Sequence, residues 1–306
     1  MRVVIVGAGA MGSLFGFLLH KAGKDVWLLD KHTDLTGHIQ KNGLRVEGVS
    51  GNHHVPIPIT TNVDEIQWGN LIIIFVKAYD TAQAILDARP LIGQNSVVLT
   101  LQNGIGNVEA ILKVVGETKT IAGTTAHGAT VLGPGHIRHA GTGETIIGEL
   151  SGQRTERLDR IQNFFESAGI TTQLTHDVTS LLWSKLLINV GINSLTGITG
   201  LRNGELLDFE ETREIMHRAV DEAKKVVSRK GIRLMYEDHL RKVDSICQAT
   251  ARNISSMLQD LRKQKRTEID FINGIISREG NRLGIETPIN QALTHLIHYR
   301  ETQQGI

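Results

Sequence analysis

Met1-Arg2-Val3-Val4-Ile5-Val6-Gly7-Ala8-Gly9-Ala10-Met11-Gly12 is the stretch on which the fold turns. Val3 to Val6 suit a strand buried on both faces, and the next six residues spell G-x-G-x-x-G. In that pattern Gly7 permits a tight turn, Gly9 lets the backbone approach a pyrophosphate, and Gly12 lets the next helix pack on its strand. The same glycines interrupt the apolar core that a signal peptide would need. Alone the pattern is common; its surroundings make it specific. Ser13 to Lys21 carries apolar residues at helical spacing and stops at Ala22-Gly23. Asp25-Val26-Trp27-Leu28-Leu29-Asp30 reads as a second strand ending in an acid. Asp30 stands 23 residues after Gly7, close to the separation at which a carboxylate meets an adenosine ribose.

The alternation continues outward. Asn70 to Lys77 is an apolar run suited to a parallel strand, Asp80 to Leu91 is helical, and Ser96 to Leu101 is another strand. Ligands of open α/β sheets bind beyond the carboxyl ends of strands, which directs Lys77 and Asn103 toward a cofactor crevice. The glycine-rich stretch Thr120 to Glu149 predicts antiparallel strands closing the same sheet, followed by a helix over 153–168 and a last strand to Leu174. From Asp177 onward strand patterns vanish. The expected fold class is therefore α/β: a Rossmann-type dinucleotide-binding domain over 1–176 and an all-helical substrate domain over 177–306.

Composition excludes several functions. Thirty-three Lys and Arg against 32 Asp and Glu leave a net charge of +1, so no global field gathers nucleic acid. The single Cys247 makes neither an internal disulfide nor a cysteine zinc cage. His127, His136 and His139 lack metal-motif spacing and an acidic companion, so no metal is expected. No run approaches the roughly 18 apolar residues of a membrane span. With neither span, signal nor disulfide, the expected location is cytoplasmic.

Two polar anomalies mark the second half. Over residues 178–195 apolar side chains surround nearly the whole helix, as in a buried helix. The exception is Lys185, Asn189 and Asn193, which follow one another at about 40° steps along one stripe. A lysine and two asparagines taken from water need partners, so the stripe should face a polar cavity. In Thr267 to Ile276, read as a helix, Glu268 falls at the centre of the face made by residues 269, 271, 272, 275 and 276, while Asp270 points away. A carboxylate turned inward without a basic neighbour at helical spacing marks a site. The run Arg262 to Arg266 reads as a solvated helix face, and Ser256 sits near the middle of another helix without drawing notice.

Together these residues resemble the ketopantoate reductase family across nearly the whole chain. The resemblance is carried by Gly7 to Gly12, Val76-Lys77-Ala78, Gln102-Asn103-Gly104 and Thr125-Ala126-His127-Gly128-Ala129. It continues through Trp183-Ser184-Lys185, Asn189, Asn193, Asn203-Gly204-Glu205, Ser255 to Asp260 and Thr267 to Gly274. It implies reduction of 2-dehydropantoate to pantoate, with Lys185 as general acid and Glu268 as partner to substrate hydroxyl or cofactor. It also implies that Asn103, Asn189, Asn193, Asn203 and Ser256 bind substrate. Gly7, Ala8, Gly9, Ala10, Met11, Gly12, Asp30, Lys31, Lys77, Asn103, Ala129 and Glu268 would then meet the dinucleotide. NADPH is the cofactor the resemblance implies, whereas Asp30 favours the free ribose hydroxyls of NAD; Lys31 and His32 follow it and suit a 2′-phosphate. The expected partner is a small 2-oxo acid, with no nucleic acid and no membrane, and a homodimer is left open. Two alternatives remain: a related dehydrogenase of another 2-oxo acid, and a dinucleotide sensor without catalysis. A sensor has no need of Lys185 and Glu268 facing inward.

Overall fold

Val3 to Val6 and Leu71 to Ile74 are almost wholly buried, as strands covered on both faces must be, and they lie side by side. The computed structural model describes residues 1–306, and the chain divides into two compact units. The first comprises Met1–Gln102 and Gly106–Val178; the second comprises Asn103–Ile105 and Thr179–Ile306.

The first unit is built on β1 (Val3–Val6), α1 (Ala10–Lys21), β2 (Val26–Leu29), α2 (Thr33–Asn42), β3 (Leu44–Gly48), β4 (His53–Val55) and β5 (Ile59–Thr60). It continues with α3 (Val63–Ile66), β6 (Gly69–Ile74), α4 (Thr81–Ala88), β7 (Ile92–Thr100), α5 (Asn107–Val115) and β8 (Thr120–Thr125). β9 (Gly128–Gly133), β10 (His136–Gly141), β11 (Thr145–Glu149), α6 (Glu156–Glu166) and β12 (Thr172–Leu174) complete it. The main sheet runs β12-β11-β8-β7-β6-β1-β2-β5, parallel except where β11 meets β8. Chain order moves outward from β1 to β2 on one side and resumes at β6 on the other. The carboxyl ends of β1 and β6 therefore form the topological switch point.

The expectation for 120–149 needs correction. β8 and β11 join the main sheet, but β9 and β10 leave it for a second sheet of order β4-β3-β10-β9. Its partners, β3 and β4, come from residues 44–55, where no strand was read. Each is short and only partly buried, so its apolar alternation is too brief to register.

His127 and His139 meet here, Nδ1 to Nε2 at 3.1 Å, with His139 Nδ1 against Ser50 Oγ. His136 turns instead to Glu47 at 3.0 Å. Burial, aided by His139, pushes His127 down to about 4. As pH falls, the unfolded chain takes up that proton first, near 6.5, so stability is full above 6.5 and is lost toward 4. Thermal unfolding at pH 5 should show a loss of about 1–2 kcal/mol relative to pH 7.5, discounted for partial solvation. His127→Gln should flatten that difference; an unchanged pH dependence would remove the assignment.

The second unit is helical: α7 (Val178–Thr199), α8 (Glu210–Arg229), α9 (His239–Ala249), α10 (Ser256–Arg262), α11 (Asn273–Leu283) and α12 (Pro288–Gln303). α7 is its axis. Leu186, Leu187, Val190 and Leu195 lie in the core, and a Cβ on Gly191 would meet Val220, Met216 and Val243 of α8 and α9. Contrary to the sequence reading, α7 is long and apolar enough to cross a bilayer. However, 72% of its apolar window is buried within the protein, the mark of a core helix. The basic run also differs: only Arg262 is helical, and residues 263–266 form an exposed turn with Gln264 at φ 52°.

Candidate active site

In the first unit, the glycine turn closes against the end of β6. Gly7 has φ +102°, and a Cβ there would stand 2.8 Å from the Val76 nitrogen. A Cβ on Gly12 would stand 1.8 Å from the Gly7 carbonyl oxygen, so helix and strand approach more closely than any side chain allows. Gly9 is the opposite: no atom lies within 4 Å of its Cβ direction, and it caps α1 with no side-chain hydrogen bond. Open space in front of a helix N-terminus without a side-chain cap fits a pyrophosphate held by backbone N–H groups. Lys77 stands just beyond β6, before the turn Ala78–Asp80, and Ala129 lies on β9 opposite His139.

Asp30 has a structural task that its spacing did not show. Its Oδ2 accepts the Ala8 N–H at 2.6 Å, and its Oδ1 accepts the His32 N–H at 2.9 Å and faces His32 Nδ1 at 2.7 Å. The carboxylate, 8% exposed, thus holds the glycine turn itself. Lys31 reaches Asp80 at 2.8 Å, an exposed pair worth at most about 1 kcal/mol and easily exchanged for a phosphate.

The second unit gathers Asn103, Lys185, Asn189, Asn193, Asn203, Ser256 and Glu268. Asn103 follows a strand of the first unit, yet the Ile105 N–H donates to the Phe271 carbonyl at 3.1 Å. Gly104, at φ +82°, makes this approach feasible, because a Cβ there would stand 2.8 Å from that same oxygen. Phe271 in turn donates its N–H to the Glu268 carbonyl, so Asn103 and Glu268 are held by one turn.

Glu268 is buried, as its position predicted, but the helical reason was wrong. It precedes a single short turn, Ile269–Phe271, and α11 begins only at Asn273 after Ile272 breaks the path at φ −115°, ψ −90°. The Glu301 carboxylate accepts the Thr267 N–H at 2.7 Å, and the Thr267 hydroxyl accepts the Ile269 N–H. A local bond such as the second competes with helix formation. Asp270 faces outward, to Arg266 at 3.4 Å and His298 at 3.1 Å.

Lys185 and Asn189 are half-buried and Asn193 is 6% exposed along one side of α7. Burial pushes the Lys185 ammonium down to about 8, while the Glu268 carboxylate pulls it upward. The Asn189 amide nitrogen is buried with no hydrogen-bond partner in the chain. One turn past Asn193, Thr196 Oγ1 meets Ser255 Oγ at 2.6 Å. Ser255 caps α10 by accepting the Leu258 N–H, so Ser256 is the first residue of that helix and not its middle. Asn203 joins the same loop: its N–H donates to the Asn253 carbonyl and its Nδ2 to Thr250 Oγ1 at 2.9 Å. Its Oδ1 is buried without a partner. The Thr196–Ser255 tie went unread in the sequence, although Ser-x-x ahead of an apolar run is a recognisable helix start.

The second unit thus holds, on a helix that also carries Asn189 and Asn193, a lysine whose ammonium is lowered to about 8 by burial while a buried carboxylate, Glu268, pulls it upward. Known proteins resemble this chain in sequence and fold. A family model described as Ketopantoate reductase PanE/ApbA matches residues 3–152, and its C-terminal counterpart matches 177–301. The chain is similar to a 2-dehydropantoate 2-reductase of Archaeoglobus fulgidus, 35% identical over 306 residues, 100% of this chain and 99% of that one. A protein of the same name from Aquifex aeolicus is 33% identical over 98% of this chain and 97% of its own. Among solved structures, D-mandelate dehydrogenase with NADH and anilino(oxo)acetate superposes with TM-score 0.95 at 29% identity, covering both chains fully. A PanE/ApbA family ketopantoate reductase of Ralstonia eutropha gives TM-score 0.92 at 32% identity, also over both whole chains.

Proposed function

The chain belongs to the ketopantoate reductase family, and from that premise we propose that it reduces 2-dehydropantoate to pantoate, with Lys185 delivering the proton. Gly7 to Gly12, Lys77 and Ala129 would hold a reduced nicotinamide dinucleotide, which would supply the hydride. The observation that carries the reading is Lys185 itself: a half-buried ammonium brought down to about 8, facing Glu268 on a helix that also presents Asn189 and Asn193.

Hydride addition to a ketone places negative charge on its oxygen, which needs fixed donors and a proton. A lysine at its ordinary value of about 10.4 holds its proton too tightly. At about 8, Lys185 is still protonated at neutral pH and gives the proton up as the alkoxide forms. Glu268 receives a substrate hydroxyl and keeps Lys185 charged until transfer. The Asn189 and Asn193 amides orient the carbonyl and hydroxyl groups without adding charge that would oppose hydride arrival. Ser256 donates to the substrate carboxylate, and Asn103 and Asn203 complete the donor set. The test is dinucleotide oxidation with ketopantoate and with other 2-oxo acids, including that of mandelate. Turnover of ketopantoate above the rest supports the reading; preference for another acid transfers the same residues to that substrate.

The cofactor is NADPH on this reading. Asp30 spends its charge inward on Ala8 and His32, while Lys31 and His32, which follow it, are exposed and would suit a ribose 2′-phosphate. Because Asp30→Ala would also release the glycine turn, Lys31→Ala is the cleaner probe. It should lower the kcat/KM ratio of NADPH to NADH about tenfold, the worth of one charge-assisted hydrogen bond. An unchanged ratio would remove Lys31 from cofactor choice.

A further inference from the structure

Behind the proposed proton donor runs a buried polar chain that the reaction chemistry does not use. Asn273, the first residue of α11, is wholly buried. Its Nδ2 donates to the Val190 carbonyl of α7 at 3.1 Å and to Asn290 Oδ1 of α12 at 3.0 Å. Asn290, also wholly buried, donates its side chain to Glu222 Oε2 at 2.7 Å and to the Ala219 carbonyl at 2.9 Å. The Glu222 carboxylate of α8 further accepts the N–H groups of Ile289 and Asn290, each at 2.9 Å. One chain of hydrogen bonds thus joins four helices.

Its end points suggest its purpose. Asn273 lies just past the Ile272 break, at the root of the turn that carries Glu268. Val190 is the neighbour of Asn189 on the helix that carries Lys185. Packing alone gives no reason for an amide here, because Asn273 Oδ1 is itself buried without a partner. A buried acceptor left unpaired costs stability, and an apolar residue of that volume has no such atom.

We propose that Asn273, backed by Asn290 and Glu222, is a positioning residue that fixes the Glu268 turn against the Lys185 helix. This rests on the proton-donor reading above. The other carboxylates near the turn are occupied: Asp270 by Arg266 and His298, Glu301 by the Thr267 N–H, and Glu222 by α12. Glu268 is the carboxylate whose charge acts on Lys185, and the strut meets the chain at the end of its turn. If the strut is released, Glu268 drifts, and Lys185 loses the influence that opposes its burial.

The experiment is Asn273→Leu, which keeps the branched heavy-atom skeleton and removes the donor, alongside Glu222→Gln, which keeps shape and weakens the far anchor. The expected result for Asn273→Leu is kcat for the 2-oxo acid lowered about tenfold, as misplacement of reacting groups produces. The alkaline limb of kcat/KM should move to lower pH. Glu222→Gln should move both quantities in the same direction by less, and carries the test if Asn273→Leu does not fold. Wild-type kcat and an unmoved limb, with only Tm lowered, would reduce the chain to a structural brace and overturn the proposal. A wild-type protein that reduces no 2-oxo acid overturns both readings; an active wild type with unaltered variants overturns this one alone.

Discussion

Lys185→Ala is expected to lower kcat by about 10²–10⁴-fold, the usual worth of a positioned acid, while dinucleotide affinity stays near its wild-type value. The reason is local. On the proposed mechanism, loss of the ammonium removes the proton that the nascent alkoxide receives, but leaves the glycine turn in the first unit intact. The pH profile gives an independent check. Lys185 must be protonated to act, and burial holds it near 8. Hence kcat/KM should be level through neutrality and fall about tenfold per unit once pH exceeds that value. In Lys185→Ala that limb should disappear. A near-normal kcat, or an unchanged alkaline limb in the variant, would transfer the proton to another group.

Gly12→Ala is expected to abolish dinucleotide binding and to cost the first unit about 3 kcal/mol or more. The new methyl would stand 1.8 Å from the Gly7 carbonyl and 3.2 Å from Ile5 Cγ2. A carbonyl belonging to a turn at φ +102° cannot swing aside without opening the turn, and Asp30 holds the same turn through Ala8. Gly9→Ala is the contrasting control. Its methyl would enter empty space, so the unit should melt as before while the pyrophosphate loses its room. Thermal unfolding and dinucleotide titration of both variants decide the matter. Equal melting of Gly12→Ala and wild type would contradict the packing role of Gly12.

The dinucleotide half was legible because its signals are local. A buried strand, a glycine turn and an amphipathic helix each announce themselves within a dozen residues. The second sheet was not, since β3 and β4 are too short for their alternation to stand out. Glu268 shows a right conclusion reached by a wrong route. Its inward placement survives, but the helix from which it was argued is broken at Ile272, and the Thr267 N–H before it goes to Glu301, 33 residues beyond Glu268. Ser256 was misplaced for a similar reason: the cap made by Ser255 depends on where the chain must turn. Asp30 reads in the sequence as an acid suited to a cofactor ribose, whereas its grip on Ala8 is visible only in three dimensions.

Sequence by itself determined the alternating first half, the buried axis of the second, and a polar stripe on that axis where hydrocarbon belongs. Those are properties of short segments, since the helical and strand periods repeat every few residues. Tertiary structure decided what the stripe can do. It brought Glu268 to Lys185, tied Ser255 to Thr196, and bound the Asn103 segment to Phe271. It also set the acidity of Lys185, because burial and a carboxylate 83 residues away are matters of distance in space, which no period along the chain records.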